Sequence, residues 1–292
     1  MVKKTLVVLG IMALVGFQLT GCGKQTVGES SSQIAQTTEE SISGASNDSI
    51  ALSNVSNSQL GIADYGLSVV ASACPNVTKP VVTNTMNSTT WTVDINFGNG
   101  CIPNYFTDIM TSGNITMTVT RFTDGTNVTA TTIDANGDIE RTRWDGASLY
   151  ISGTTDIVRT GTVSQTSTTR TRAITVNETR VAISPRGKVV MNHNVNLNFN
   201  ATDTLSSSTP STTIRRVLNG TGSVDHLLAK VLAGITVTNL TYEQGYCHPV
   251  DGTVILVLTK DTDGSPIGTY TLVFSQGSAT LNGNPITLNP CD

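Results

Sequence analysis

Val189-Val190-Met191-Asn192-His193-Asn194-Val195-Asn196-Leu197-Asn198-Phe199-Asn200 is the stretch that decides the fold class. Val189, Met191, His193, Val195, Leu197 and Phe199 fall on one side of an extended backbone. Asn192, Asn194, Asn196, Asn198 and Asn200 fall on the other, because successive side chains of a strand point to opposite faces. Alternation held over about a dozen residues signals a strand with one buried and one wet face.

The pattern recurs outward from there. Ile115, Met117 and Val119 alternate with Thr116, Thr118 and Thr120, and Trp91, Val93, Ile95 and Phe97 repeat the theme. Between such runs stand Asn99-Gly100, Asp124-Gly125, Asn136-Gly137, Asp145-Gly146, Asn219-Gly220, Asp251-Gly252, Asp263-Gly264 and Asn282-Gly283. Tight hairpins need positive φ at their centre, which Asn, Asp and Gly tolerate best. The expectation is an all-β antiparallel up-and-down meander. The run from Lys188 to Ala201 is long against the usual strand of about five or six residues, so one large curled or barrel-like sheet is expected, with a β-sandwich as the alternative. A barrel spanning the outer membrane needs aromatic girdles, and aromatic residues are only 5% of the chain.

The chain opens with Lys3 and Lys4, continues through an apolar stretch from Thr5 to Phe17, and reaches Leu19-Thr20-Gly21-Cys22. A charged start, an apolar run and small residues form the layout of an export signal. The run is shorter than the roughly 20 residues that cross a bilayer. Leu19-Thr20-Gly21-Cys22 resembles the lipobox of bacterial lipoproteins, and the β-rich remainder resembles that of other envelope lipoproteins. The resemblance implies diacylglycerol on the Cys22 sulfur, cleavage before Cys22 and, in many cases, a third acyl chain on the new amino group. Two or more chains anchor stably where one is marginal. In that family an aspartate next to the lipidated cysteine implies retention in the inner membrane. Gly23 stands there, which implies the outer membrane, facing the periplasm or the surface.

Residues 1–21 are thus expected to be a signal peptide, 22–60 a tether and 61–292 the β domain. The 22–60 stretch is rich in Ser, Gln, Thr, Asn and Glu, too polar to bury. As a flexible coil it would reach about 35 Å, with a short helix near Asp48 to Ser53.

Removing residues 1–21 deletes Lys3 and Lys4 and leaves 15 basic against 21 acidic groups. That balance speaks against a nucleic-acid partner, which asks for a basic face. Arg170 and Arg172 form the nearest thing to a cluster, sharing what reads as a solvated strand face. After Cys22 four cysteines remain: Cys74, Cys101, Cys247 and Cys291. An even number in an exported chain reads as two disulfides. Cys74 with Cys101 and Cys247 with Cys291 are preferred among three pairings, each bracketing a local hairpin.

No catalytic constellation is visible. The nucleophile elbow G-x-S-x-G is absent, and so are a phosphate-binding glycine loop, a dinucleotide fingerprint and the CxxC spacing of a zinc site. His193 reads as a histidine of the inner face, His226 as part of a short helix and His248 as a turn residue. Asp134-Ala135-Asn136-Gly137-Asp138-Ile139-Glu140 and Asp261-Thr262-Asp263-Gly264-Ser265 bear oxygen ligands but lack the calcium layout of an EF-hand, and read as hairpin turns. No metal and no cofactor is expected.

The expected role is that of a membrane-anchored envelope lipoprotein. Its non-catalytic β domain would bind an unidentified protein, glycan or apolar ligand, or serve the envelope structurally. A carrier is the second reading: a curled sheet with Met191, Val195, Leu197 and Phe199 on its concave side resembles outer-membrane lipoprotein-receptor and lipid-carrier architecture. A hydrolase with dispersed carboxylates is the third.

Overall fold

The computed structural model describes residues 30, 32–45, 76–77, 81–101, 109–124, 127–160, 169–205, 213–243, 246, 248–276 and 278–288. Within them the period-two runs become strands: β1 (Asn76–Val77), β2 (Val81–Asn84), β3 (Ser88–Cys101), β4 (Ile109–Asp124), β5 (Asn127–Arg143), β6 (Ser148–Thr160) and β7 (Thr169–Ile183). The second half adds β8 (Val189–Leu205), β9 (Thr213–His226), β10 (Val231–Glu243), β11 (Asp251–Lys260), β12 (Pro266–Ser275), β13 (Ser278–Leu281) and β14 (Asn284–Ile286). All belong to one antiparallel up-and-down sheet, each strand from β3 onward pairing with its neighbours in sequence, while β1 and β2 share the outer side of β3. The single sheet disposes of the sandwich. It is not closed: β1 and β2 form one border and β14 the other.

Alternation sorts the side chains as expected from His193 onward; Val189, read on the same buried face, is exposed, because the β7–β8 register shifts between Ala182 and Ile183. From β8, His193, Val195, Leu197, Phe199, Ala201 and Asp203 are buried while Asn194, Asn196, Asn198 and Asn200 are exposed. The inner face joins Trp91, Val93, Met117, Ile133, Ile157, Ile174, Phe199, Leu218, Leu256 and Phe274 into one core. Outside, the register lines up rows across β3 to β9. One row runs Thr92, Thr118, Asp134, Asp156, Thr175, Asn198, Thr221; the next runs Asp94, Thr116, Asn136, Thr154, Asn177, Asn196, Ser223. A third runs Asn96, Asn114, Asp138, Ser152, Thr179, Asn194, Asp225. Every place in the three rows is Asn, Asp, Ser or Thr, and neighbours bond sideways, as when Thr116 Oγ1 donates to Asp94 Oδ1 at 2.7 Å and Thr179 Oγ1 to Asn194 Oδ1 at 3.0 Å. Such cross-strand pairs are the unit of sheet stabilisation.

Turn chemistry stands as expected at three of the eight places: Asp145-Gly146 joins β5 to β6, Asp263-Gly264 joins β11 to β12, and Asn282-Gly283 joins β13 to β14 with φ of 50° and 80°. Asp124 ends β4, and Gly125 lies outside the described residues. Asn99-Gly100 instead lies at the irregular end of β3, Asp251-Gly252 opens β11, and Asn136-Gly137 and Asn219-Gly220 sit mid-strand. The reason is room. A Cβ on Gly137 would meet the Asn114 carbonyl oxygen and stand 2.7 Å from Ile115 Cα; one on Gly220 would meet the Asn198 carbonyl oxygen and stand 2.7 Å from Phe199 Cδ1. Glycine inside a strand permits close backbone approach and a local kink. These two glycines serve curvature rather than reversal.

The largest departure from expectation lies in the stretch read as a tether. Residues 32–45 form a helix, α1, buried in the core with Ile34, Ala35, Ile42 and Ala45. Ser30 and Gln33 cap its start reciprocally: Ser30 N–H donates to Gln33 Oε1 at 2.8 Å and Gln33 N–H to Ser30 Oγ at 3.3 Å, a capping box. The helix packs on the concave side, so the folded unit includes part of the stretch before residue 60. The short helix near Asp48 to Ser53, the signal peptide and Cys22 lie outside the described residues.

Candidate functional site

Arg180 on β7, His193 on β8 and His226 on β9 are successive cross-strand partners on the inner face. The helix α1 crosses them. Ser41 Oγ lies 3.0 Å from His193 Nδ1 and Thr38 Oγ1 lies 2.9 Å from His226 Nε2, with the two rings edge-on, centroids 4.2 Å apart. Gly44 lies directly on the Arg180 guanidinium, where any side chain would collide.

The helix settles the tautomers. Thr38 gives its hydroxyl proton to the Ile34 carbonyl at 2.7 Å and Ser41 gives its own to the Thr37 carbonyl at 2.9 Å, so toward the rings both hydroxyls accept. His226 therefore donates from Nε2 and His193 from Nδ1. His226 Nδ1 is buried without a partner, so a second proton would find no acceptor there. Burial pushes His226 down to about 4. Burial first, then the neighbouring charge of a protonated His226 and that of Arg180, pushes His193 down to about 2. Both rings are neutral near neutral pH.

Two charged groups flank the histidines. Arg180 is paired with Glu178, two places along the same inner face of β7. Farther along, Asp203, fully buried on β8, lies between Arg172 of β7 and Arg216 of β9, whose Nε donates to Asp203 Oδ1 at 2.7 Å. Burial lowers Arg216 to about 9. Against another side of α1, His248 Nδ1 stands 3.6 Å from buried Glu39 Oε2. The buried Tyr242 hydroxyl is raised well above its usual range by burial first and the Glu39 charge second, with Ser43 and Arg216 opposing.

All three histidines of the chain therefore touch α1, although sequence gave no reason to bring them together. His193 lies on the inner face as expected. His226 closes β9 rather than sitting on a helix, and His248 follows β10 in the connection to β11. Among the described residues no group of three or more His, Cys, Asp or Glu is placed to hold a metal ion. Arg172, expected on a solvated face, is buried; the phase that turns Ile174 and Val176 inward carries Arg172, Glu178 and Arg180 with them. That phase, set by Ile174 and Val176, is the signal in the sequence from which the charged interior could have been found.

The acidic stretches separate. Asp134 to Glu140 runs through the middle of β5, against the hairpin expected there, and sends Asp134, Asn136 and Asp138 to the outer rows. Asp134 and Asp156 stand next to each other across strands there. Burial and the Asp134 charge raise Asp156. Asp261 to Ser265 is the β11–β12 turn, closed by Ser265 N–H donating to Asp263 Oδ1 at 2.9 Å. Cys101 ends β3 opposite Thr111, and Cys74, Cys247 and Cys291 lie outside the described residues.

Compared with protein-family models, curated proteins and solved structures, the chain matches none. Its chemistry is read from its own residues. The arrangement is a buried polar core: Glu178 and Asp203 paired with guanidinium groups, one nitrogen of each inner ring facing a hydroxyl of α1, and the helix held on the inner face by both. In such a network the loss of one partner costs more than the intact pair adds, because it leaves a buried charge uncompensated.

Proposed function

We propose that the chain is an exported lipoprotein of the cell envelope, anchored by lipid on Cys22 in the outer membrane, whose β domain binds a partner or serves the envelope structurally without catalysis. The address is supported by the lipobox-like Leu19-Thr20-Gly21-Cys22 behind its apolar run. The observation that carries the non-catalytic part is the seat of α1. Val195, Leu197 and Phe199, the face a carrier would turn to an apolar ligand, share one core with Ile34, Ala35 and Ile42 of the helix. The inner carboxylates Glu178 and Asp203 are committed to arginines rather than opened to water. What is left for recognition is the outside of the sheet and its ends.

Labelling with a radioactive fatty acid tests the anchor. The natural chain takes up label and pellets with membranes, and Cys22→Ser does neither. A Cys22→Ser product that stays in the membrane fraction after signal cleavage overturns the reading. Export also implies an oxidising compartment, and the pairs Cys74–Cys101 and Cys247–Cys291 belong to the same proposal. Each bridge is worth roughly 3 to 4 kcal/mol on the chain-entropy model, so peptide mapping should find both and reduction should lower the unfolding midpoint.

A further inference from the structure

An up-and-down order puts every second hairpin at the same end of the sheet. Four stand side by side there: 144–147 between β5 and β6, 184–188 between β7 and β8, 227–230 between β9 and β10, and 261–265 between β11 and β12. Backbone bonds tie neighbours together, Leu227 N–H donating to the Asn192 carbonyl and Asp261 N–H to the Lys230 carbonyl, each at 3.0 Å. The result is a continuous rim.

Its composition is unlike the rest of the outside. Trp144 is 82% exposed at its tip, and Val189, Leu228 and Ile267 are exposed beside the other turns. Arg186, Lys188, Lys230 and Lys260 stand exposed among them, and every lysine of the described residues is on this rim. Over 143–147, 184–189, 227–230 and 260–267, Arg143, Arg186, Lys188, Lys230 and Lys260 oppose Asp145, Asp261 and Asp263, a local balance of +2 on a chain of formal charge −4. Asp145 is in turn 4.0 Å from Arg143. The opposite end also exposes apolar side chains, Met86 at 97%, Phe122 and Tyr246, and its exposed Arg215 stands 3.7 Å from Glu243, so the contrast lies in the lysines, of which it holds none among the described residues.

One exposed tryptophan and three exposed aliphatic side chains with lysine and arginine between them suit a membrane–water interface, where the ring sits at headgroup depth and the cations meet lipid phosphates. We propose that this rim rests on an anionic lipid surface, the bilayer to which Cys22 ties the chain. The choice of a bilayer as occupant rests on the lipid-anchor reading, and the helix gives the reason. Thr38 is seated on His226, the last residue of β9 before the rim. Cys22 precedes the start of α1 at residue 32 by ten residues, which span at most about 35 Å fully extended. The docked helix thus keeps the lipid within that reach of α1, whose Thr38 sits beside the rim and whose Glu39 faces His248 of the β10–β11 connection.

The test uses the mature chain from residue 22 with Cys22→Ser, so that no acyl chain is present. It is mixed with phosphatidylcholine vesicles with and without phosphatidylglycerol and followed by co-sedimentation and tryptophan emission. Binding to the anionic vesicles alone is expected, with a blue shift lost in Trp144→Phe, since Trp91 is buried, and with release by high salt. Reversing Lys188, Lys230 and Lys260 to Glu should weaken binding by about a hundredfold, and Met86→Ser at the other end should leave it unchanged. Circular dichroism confirms that each variant is folded. Equal binding to both vesicle types, no binding to either, or a loss in Met86→Ser equal to that in Trp144→Ser overturns the rim. Fatty-acid labelling of the natural chain is scored separately, so a labelled protein whose unlipidated form ignores anionic vesicles sinks the rim and keeps the anchor.

Discussion

The two faces of the one sheet are built from opposite choices. Outside, three rows across β3 to β9 hold only Asn, Asp, Ser and Thr, short side chains that lose little by being ordered and bond to each other across strands. Inside, the same strands carry large apolar groups in the middle and, around α1, the charged and ring side chains Arg172, Glu178, Arg180, His193, Asp203, Arg216 and His226. Paired carboxylates and guanidinium groups are thus buried on one side, while short polar side chains, aspartates among them, stand wet on the other. Residue type alone does not say which side a side chain takes. Phase along the strand does.

The sharpest way to break this contrast is to remove one charge from each face. Asp203→Leu strips the carboxylate from between two buried guanidinium groups and should cost about 3 to 5 kcal/mol in urea unfolding, whereas Asp134→Ala on the outer row should stay within about 0.5 kcal/mol. Equal losses would mean that the inner pairing contributes nothing special. Phe199→Ala against Asn198→Ala asks the same of the apolar set, with about 3 to 5 kcal/mol expected for the first and next to nothing for the second.

Acid probes the histidines. Both are depressed in the folded protein, so between their unfolded value near 6.5 and their folded values the unfolded chain holds more protons, and stability falls as pH falls. The loss runs from about pH 6.5 to about 4 for His226 and on to about 2 for His193, of order 3 kcal/mol for His226 alone. His226→Asn should flatten the upper part of that slope in denaturation followed across pH. An unchanged slope would place His226 outside the effect.

The smallest effect tests the seat of the helix. Thr38→Val and Ser41→Ala each remove one hydroxyl facing a ring and should cost roughly 1 kcal/mol apiece, read as earlier exchange of the backbone amides of α1 than of β8.

The fold was legible because alternation is strict: Asn192 to Asn200 left the chain between them no choice of face, and Asp145-Gly146, Asp263-Gly264 and Asn282-Gly283 turn where their chemistry says. Mid-strand Gly137 and Gly220 deceived because the residue that permits positive φ also permits two strands to touch. The helix was illegible for a different reason. Thr38, Glu39, Ser41 and Ser43 look solvated in a sequence, and they are buried only because the sheet supplies His193, His226, His248 and Tyr242 as partners from far along the chain. Its local traces are the pair Ser30 and Gln33 and the spacing of Ile34, Ala35, Ile42 and Ala45, outnumbered by the surrounding Ser, Thr and Gln.

The sheet's two borders carry a last consequence. An open sheet leaves lone N–H and C=O groups at its margins, a template for joining to another copy. Here one margin carries strands two and four residues long, and the other ends in a strand of three residues with Pro285, which has no N–H to offer, in the middle, beside the stretch of β12 from Pro266 that β13 leaves uncovered. Copies crowded on one surface would collide margin to margin. Borders this short and interrupted keep them from zipping into a continuous ribbon, so the fold stays open without becoming a seed.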